Sequence, residues 1–430
     1  AIQQEIGDRA GEGATLSNIG SVYSSLVQHE KALGYFEQAL SIQQTIGDRA
    51  RENVTLNKIG DIYKSMGQYE QAVNYYQQAV AIIEEMRSEI SVEEFKTSFV
   101  SEKANVYDDI ILSLSQMQRF DEAFAYAQRA KVGSFLAEIK LTTAQHMPSL
   151  FKASTVVTAQ QNIPPGVTLL EYYVTSTQTF AFIISRNNFH TVSISVTEQA
   201  LQDSISGFRA FPSLEGIPQE SRKLYETLFA PIREYVHTDV LYIAPHNVLY
   251  YFPLGALHDG KHYLVEDYII AYLPSASTHQ YVRAYFPTPS GLINPRYDPS
   301  KTSKDNVKVL CDPKQSTPYA IAEAKAIANL FSTQVLTTET QLIDQSYWSN
   351  IIHISTSGSF NASTPLFSSF YLAPDDINDG YLEMHEVYNL SLRMTDLVVL
   401  SSYNTELGAL STGDQIVGMT RAFLYAGTSS

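Results

Sequence analysis

The sequence predicts an α-helical solenoid followed by an α/β domain, in which a mainly parallel sheet is flanked by helices. The first part of this prediction rests on a repeat, because Ile6-Gly7-Asp8-Arg9 returns 40 residues later as Ile46-Gly47-Asp48-Arg49. Such a period is typical of helical pairs that stack on one another. The second part rests on short apolar runs beyond residue 167, which are rich in β-branched residues and stop at small polar ones.

Composition argues against several classes of function. The chain has 430 residues, of which 44% are hydrophobic, and this is enough for two or three packed domains. Its formal net charge is −16 and it has no basic run, so we expect no nucleic-acid partner. No apolar run approaches the roughly 18 residues that a membrane span requires. His246, His258 and His262 lack the cysteine partners or helical frame of zinc sites, so we expect neither a metal nor a cofactor.

The cysteine content bears on location. Cys311 is the single cysteine, so no intramolecular disulfide framework can form. A reducing cytoplasm is therefore favoured, although a signal peptide outside this sequence would place the protein outside the cell. The chain opens inside a helical repeat and stops just after a helix. We therefore expect it to be an excerpt whose α/β domain is incomplete at its C terminus.

Residues 1–140 are predicted to form the helical repeats. Two units share one spacing of apolar, small and aromatic residues, and a third, degenerate unit follows an insertion around residues 87–99. This spacing resembles the tetratricopeptide repeat. Gly20 and Gly60 are small enough to let the two helices of a unit approach closely. One tyrosine per unit is expected to pack at an equivalent position: Tyr23, Tyr63 and Tyr107.

The resemblance to tetratricopeptide repeats also implies a kind of partner. Such stacks present a concave face that usually holds an extended or helical peptide, so we expect a protein or peptide partner there. Three polar residues lie on helices of a suitable type, namely Asn18, Lys58 and Asn74.

The remainder of the chain is predicted to divide into three parts. Residues 141–166 form a linker, in which charges nearly vanish and Pro164, Pro165 and Gly166 break helix and strand patterns. Residues 167–290 form the first half of the α/β domain, and residues 291–430 form the second half. Within the second half, residues 318–331 carry the apolar stripe of an amphipathic helix.

Two apolar runs in the second half organise the candidate site. Residues 351–358 and 396–405 each end in small polar residues, as buried strands of a parallel sheet do. A hairpin or loop at 360–380 and a helix at 384–392 are predicted between them. Because the carboxyl ends of parallel strands meet at one edge, these runs deliver their last side chains to a common crevice.

The residues at these strand ends resemble the CHAT family of caspase-like cysteine peptidases, which are commonly fused to tetratricopeptide repeats. The family patterns read roughly His-x-Ala-Thr-His-Gly and Leu-Ser-Ala-Cys-Asn-Thr. The resemblance places the catalytic histidine on Ser357 and the nucleophilic cysteine on Tyr403, 46 residues apart, where caspases have about 50. The neighbours of the implied cleft are His353, Gly358, Ser402 and Asn404. A histidine inside an apolar strand, such as His353, is more often structural than catalytic.

Both substitutions remove chemistry. A serine has no lone pair of useful basicity, so Ser357 cannot replace an imidazole base. The phenol of a tyrosine titrates near 10 and its ring is bulky, so Tyr403 is a poor nucleophile. The sequence therefore predicts an inactive pseudopeptidase that binds or scaffolds proteins through its repeats and its cleft. Two alternatives stay open: a self-associating, filament-forming structural protein, and an active cysteine peptidase that uses Cys311.

Overall fold

The computed structural model of the chain describes a defined set of residues, and all structural statements below concern these. They are residues 7–89, 104–143, 153–210, 219–273, 275–277, 306–312, 314, 316–346, 349–359, 367–390, 392, 395, 397–403, 422, 423, 426 and 428. The chain separates into two compact units, Ala1–Thr158 and Ala159–Ser430. The boundary falls inside the predicted linker, and the finer four-part division stays a prediction.

The first unit consists of helices that follow one another in pairs. Their bounds are α1 (Arg9–Ser25), α2 (His29–Ile46), α3 (Arg49–Ser65), α4 (Tyr69–Glu89), α5 (Ala104–Gln116) and α6 (Phe120–Thr143). A short helix, α7 (Val156–Asn162), spans the boundary between the units. Most of the expected insertion at 87–99 lies outside the described residues.

The second copy of the repeated Ile-Gly-Asp-Arg sequence forms the junction between one helical pair and the next. Gly47 ends α2 in a left-handed conformation with φ +72°, which glycine adopts without steric cost. Asp48 then caps α3, because its carboxylate accepts a hydrogen bond from the Arg51 amide at 3.1 Å. Asp8 does the same for α1 through the Gly11 amide at 2.8 Å. Both copies of the repeated sequence therefore start a helix, and the second copy also ends the helix before it.

The small residues predicted to allow close approach of the helices do so. A Cβ on Gly60 would lie 2.5 Å from the ring of Tyr76, and one on Gly20 would lie 2.9 Å from the ring of Phe36. Tyr76 is fully buried and donates to Asp61 at 2.8 Å. Each glycine thus provides the space into which an aromatic ring of the following helix packs.

The tyrosines show that the first two helical repeats are equivalent in packing and that the third repeat differs. Tyr23 stacks on Tyr35 with ring centroids 5.3 Å apart, and Tyr63 stacks on Tyr75 at 5.4 Å. Tyr107 was expected at the same position, and this expectation is wrong. Its ring is fully buried and its hydroxyl reaches Glu84 of the preceding unit at 3.4 Å. Tyr107 lies eleven residues before the positive-φ residue Gln118, whereas Tyr23 and Tyr63 lie four residues before Val27 and Gly67, so Tyr107 belongs to an earlier turn of its helix.

The first sheet of the second unit has the strand order β3-β2-β1-β4-β5. Its strands are β1 (Val167–Val174), β2 (Thr179–Ile184), β3 (Phe189–Ile194), β4 (Val240–Ala244) and β5 (Ile269–Tyr272). Strands β1, β4 and β5 run parallel, whereas β2 and β3 form an antiparallel meander with β1. The helices are α8 (Glu198–Ala210), α9 (Gln219–Leu228) and α10 (Leu264–Asp267), with 3₁₀ turns at Ala230–Tyr235, Asn247–Tyr251 and Leu254–Ala256.

The second sheet carries the candidate site and is also mixed. Its path is β10-β9-β8-β6-β7, and β11 pairs with the other side of β8. The strands are β6 (Val307–Leu310), β7 (Val335–Leu336), β8 (Ile351–Ser359), β9 (Ser369–Tyr371), β10 (Tyr381–Glu383) and β11 (Leu397–Tyr403). The helices are α11 (Pro318–Phe331), α12 (Glu339–Ser346) and α13 (Met384–Val387). Strands β7, β6, β8 and β11 are all parallel.

Two apolar layers enclose this second sheet. Odd-numbered positions such as Val309 and Ile351 pack with Ala324 and Ala328 of α11. Even-numbered positions such as Ile354 pack on the opposite face with side chains from β9, α12 and α13. The alternation follows from the two-residue period of a strand. It also fixes which polar residues of β8 and β11 share a face.

One predicted helix is shorter than expected. The segment 384–392 was predicted to be helical throughout, but α13 ends at Val387 after a single turn. The Leu392 amide instead donates to the carbonyl of Ala426 at 2.7 Å, and Leu392 is buried in the core beside Phe423. The residues after Val387 therefore pair with a distant segment and do not continue α13. None of the described helices combines the length and apolar character that a membrane span needs.

Candidate functional site

The two strands that organise the site are direct neighbours, as predicted. Strands β8 and β11 run parallel, and the register places Ser357 opposite Tyr403 and Ser355 opposite Ser401. Ser357 and Tyr403, on which the family resemblance would place a catalytic pair, therefore lie side by side at the carboxyl ends of adjacent strands. For Ser402 and Tyr403 only the backbone is described, and Asn404 lies outside the described residues.

A carboxylate on α11 joins these strands. Glu323 Oε2 accepts a hydrogen bond from Ser401 Oγ at 2.7 Å and lies 2.8 Å from Ser355 Oγ. Ser355 Oγ is also 3.0 Å from the carbonyl of Ala320, one turn earlier on the same helix. One side chain thus fixes helix α11 against β8 and β11 at once. Charge-assisted hydrogen bonds of this kind are stronger than neutral ones.

His353 belongs to the same cluster. It is 6% exposed, and its Nε2 lies 3.2 Å from Glu323 Oε1 without the alignment of a hydrogen bond. The imidazole is therefore enclosed between the sheet and α11. It lies beside the carboxylate and does not stand between that carboxylate and a serine hydroxyl.

Sequence reasoning did not find Glu323, although a signal was present. The predicted apolar stripe of helix 318–331 includes Ala320, Ala324 and Ile327, and Glu323 falls within it. A charged residue inside an apolar stripe must find a polar partner when the helix packs. The partners come from strands 32 and 78 residues further along the chain, and only the fold brings them together.

The opposite face of β8 is covered by the β9–β10 hairpin. Gly358 is buried and pairs with Phe370 of β9. Thr356 Oγ1 donates to the carbonyl of Tyr371 at 2.5 Å and lies 3.0 Å from Ser316 Oγ. The residues that flank Ser357 on both sides are therefore held by this hairpin.

Cys311 lies closer to the site than its place in the sequence suggests. A helix and a strand separate it from both motifs along the chain, but β6, which it follows, is hydrogen-bonded directly to β8. The thiol is nevertheless 2% exposed, in the core beneath α11. Burial raises the pKa of Cys311, and the hydrogen bond with Ser316 only partly offsets this. The thiol is therefore protonated and shielded from solvent.

The three histidines considered as metal ligands have different settings. His246 Nδ1 accepts from the Val174 amide at 3.0 Å, and His258 Nδ1 accepts from the Gly260 amide at 2.8 Å. His262 instead lies with Asp259 and Asp267, and one ligand atom from each falls within 4.8 Å of the others at the protein surface. The amides of His262 and Lys261 lower the pKa of Asp259, so turn formation accounts for that carboxylate. A search for histidines alone could not have found this grouping.

Family models of known proteins match a part of each unit. Residues 218–430 match the family model of the CHAT domain, and residues 11–85 match a model of the tetratricopeptide repeat. The chain therefore contains tetratricopeptide repeats and a CHAT domain. The third helical pair lies beyond the matched repeats.

Similar solved structures are distant in sequence. The tetratricopeptide domain of Arabidopsis FLU is 17% identical with a TM-score of 0.24, covering 29% of this chain and 95% of that one. BtubC from P. vanneervenii is 20% identical with a TM-score of 0.26, covering 31% of this chain and 51% of that one. The Saccharomyces cerevisiae separase–securin complex gives 10% identity and a TM-score of 0.46, covering 97% of this chain and 40% of that one. No curated protein matches significantly, and the domain assignment rests on the family models.

Proposed function

Because this chain joins tetratricopeptide repeats to a CHAT domain, we propose that it is a protein-binding or scaffolding module whose CHAT domain lacks peptidase activity. The observation that carries the proposal is the register pair Ser357 and Tyr403 at the ends of β8 and β11. Peptide hydrolysis of the caspase type needs a thiolate and an imidazole base at such a pair. A hydroxyl and a phenol supply neither.

The neighbouring polar residues do not form a substitute catalytic group. In a Ser-His-carboxylate triad the imidazole stands between the hydroxyl and the carboxylate and takes the proton. Here Ser401 donates directly to Glu323, and Ser355 lies within hydrogen-bond distance of the same oxygen. A carboxylate is a much weaker base than an imidazole near neutral pH, so Glu323 is poorly suited to activate the hydroxyls that it holds. We infer that this cluster is structural.

Cys311 does not support the alternative of an active cysteine peptidase. A catalytic thiol has a lowered pKa and contact with solvent. Burial does the opposite to Cys311, which lies in the core and keeps its proton.

The helical repeats support the claim that the chain binds a protein or peptide. Lys58 and Asn18 occupy equivalent positions 40 residues apart on the first helices of two units. Asn18 is exposed, and the ammonium of Lys58 is half-buried over the ring of Phe36, where it donates to Ser21 Oγ at 2.8 Å. Burial lowers the pKa of Lys58. These side chains present hydrogen-bonding groups along successive repeats, as a protein or peptide partner requires.

The proposal is tested by peptidase assays with reporter peptides that contain Arg, Lys or Asp. We expect no turnover from the natural sequence or from Ser357→His or Tyr403→Cys alone, because the two catalytic groups act as a unit. The double variant is the positive control, in which trace hydrolysis shows that the crevice still holds a peptide. Robust cleavage by the natural chain, lost in Cys311→Ala or on changing Tyr403, contradicts the proposal. Light scattering separates a scaffold of fixed size from the self-assembling alternative, whose particles grow with concentration.

A further inference from the structure

A buried carboxylate outside the crevice has no hydrogen-bond partner at one of its oxygens. Glu339 is the first residue of α12, is 2% exposed, and its Oε2 has no partner among the residues that the structure describes. Removing an ionised carboxylate from water without a partner is costly, so such a group tends to hold its proton.

The segment that covers Glu339 is itself acidic. Residues 373–386 pack on the start of α12 through the Ala373 amide, which donates to the Thr337 carbonyl at 2.7 Å, and through Asn378 Nδ2, which donates to Thr340 Oγ1 at 2.8 Å. Four carboxylates of this segment act on Glu339 through their charge: Glu386, Asp379, Asp375 and Glu383. Burial, followed by the charges of these four groups, raises the pKa of Glu339 to about 7.

The surrounding carboxylates are already used in local structure. Asp375 accepts from the amides of Ile377 and Asn378 at 2.9 and 3.0 Å, and Asp379 accepts from the Tyr381 amide at 2.9 Å. Glu386 Oε2 accepts from the Glu383 amide at 2.8 Å as part of a capping box. His385 Nδ1 lies 3.2 Å from Glu383 Oε2 and places a basic group beside this cluster. These contacts hold the four carboxylates in place around Glu339.

We propose that Glu339 is a proton-dependent latch, which holds segment 373–386 against α12 when it is neutral and loosens that segment when it ionises. The charge of the ionised group would lie in the core and face four others of the same sign. The segment can relieve this repulsion by moving away from α12, because its own turns and capping box do not depend on Glu339.

Movement of segment 373–386 would reach the crevice through the β9–β10 hairpin. The segment includes β10, which pairs with β9, and β9 pairs with β8 at Gly358 and Ser359. Ser357 is the residue just before this pairing. Loosening of segment 373–386 therefore opens the side of the crevice next to Ser357. This inference goes beyond the proposed function, since it holds whether or not the crevice retains activity.

The direction of the pH effect follows from linkage. The ordinary pKa of this carboxyl is 4.5 and its folded value is about 7, so the folded chain binds more protons between these two values. The stability that neutral Glu339 contributes is complete below pH 4.5 and is lost as pH rises through 7. We expect the opening equilibrium of segment 373–386 to rise by about tenfold to a hundredfold over this window.

The test is amide hydrogen exchange of the full chain from pH 5.5 to 8.5, corrected for the intrinsic pH dependence of exchange. In the natural chain, protection of the Ala373 amide, which donates to the Thr337 carbonyl across the junction with α12, should fall as pH rises through 7. The Ile377, Asn378 and Tyr381 amides, which are bonded within the segment, should keep their protection. Glu339→Gln keeps the shape of the neutral acid, so its protection should stay constant. Glu386→Gln keeps the capping contact but removes a charge, so the midpoint should move to lower pH.

Two outcomes in the glutamate variants overturn the proposal. One is a Glu339→Gln variant with the pH response of the natural chain. The other is a Glu386→Gln variant in which the pH midpoint of the loss of protection is unchanged. This second variant tests the proposal even if Glu339→Gln fails to fold. Histidines titrate in the same pH range, so His385→Gln is the matched control. Its midpoint should match that of the natural chain, and loss of the response in this variant would assign the switch to His385 instead.

Discussion

Ser355 and Ser401, which are register partners on neighbouring parallel strands, share one carboxylate oxygen of Glu323 at 2.8 and 2.7 Å. The shared acceptor fixes the register of β8 against β11, because a slip of one residue would turn the hydroxyl of the slipped strand to the other face. The same register sets Ser357 opposite Tyr403. Glu323 is therefore a positioning residue for the whole crevice edge, although it does not reach the strand tips itself.

Replacing Glu323 by alanine should destabilise the second unit. The change removes the acceptor of Ser401 and leaves the buried Ser355 with only the Ala320 carbonyl, so we expect a loss of about 1–2 kcal/mol. Trp348 is the single tryptophan and belongs to the second unit, so its fluorescence during denaturant unfolding reports on that unit. Glu323→Gln retains an acceptor oxygen and should lose less. Equal losses in the two variants would show that the hydrogen bonds contribute little.

The strands and α11 could be predicted because their signals are local. Helix α11 begins where Thr317 caps it, with Thr317 Oγ1 accepting from the Ala320 amide at 3.2 Å and Pro318 in the first turn. It ends at Ser332 in a left-handed conformation. Helix α8 carried a comparable signal that the sequence reading passed over, since Leu201, Ile205 and Phe208 form an apolar stripe.

The features that could not be predicted from the sequence depend on contacts between segments that are distant along the chain. The end of α13 is set by the hydrogen bond from Leu392 to Ala426. The partners of Glu323 are set by the register of β8 and β11, and no local pattern encodes that register. The resemblance of the strand ends to the CHAT family pointed to Ser357 and Tyr403, and the register places these two residues opposite each other. The resemblance could not indicate that Cys311 directly follows the strand next to β8, because sequence separation is a poor guide to distance in a parallel sheet.

Gly60→Ala should destabilise the repeats, even though alanine favours helix formation. The new methyl group would lie 2.5 Å from the buried ring of Tyr76, and overpacking of this kind costs about 1–3 kcal/mol. This exceeds the gain in helix propensity of about 1 kcal/mol. Gly34→Ala is the matched control, because Gly34 lies inside α2 and a Cβ there meets nothing within 4 Å.

The control should therefore gain about 0.5–1 kcal/mol. Thermal unfolding followed by helical circular dichroism measures both changes. Equal effects of the two substitutions would contradict the packing of Tyr76 on Gly60.

The third helical pair should depend on a bidentate ion pair. Arg129 Nε and Nη2 donate to the two oxygens of Glu84 at 2.9 and 2.7 Å, and the guanidinium lies 4.8 Å from the centre of the Tyr126 ring. Lysine cannot reproduce this fork, so Arg129→Lys should cost about 1 kcal/mol. Hydrogen exchange should show the loss of protection mainly in α5 and α6.

A surface arginine provides the comparison. Arg51 pairs with Asp48 at 2.5 Å through one nitrogen and its side chain is 54% exposed. Such pairs contribute about 0–1 kcal/mol, so Arg51→Lys should change little. If the two variants behave alike, the third pair is held by apolar packing alone.

Cys311 should react with thiol reagents far more slowly in the folded chain than in the unfolded one. The thiol is 2% exposed and its pKa is raised by burial, so both access and the thiolate fraction are reduced. We expect labelling at pH 8 to slow by at least about a hundredfold relative to the same chain in denaturant. Adding denaturant stepwise should restore the unfolded rate at the concentration where Trp348 fluorescence reports unfolding of the second unit. Labelling of the native chain at the rate of a free thiol would show that the site beneath α11 opens. Such rapid labelling would support the alternative in which Cys311 acts as a nucleophile.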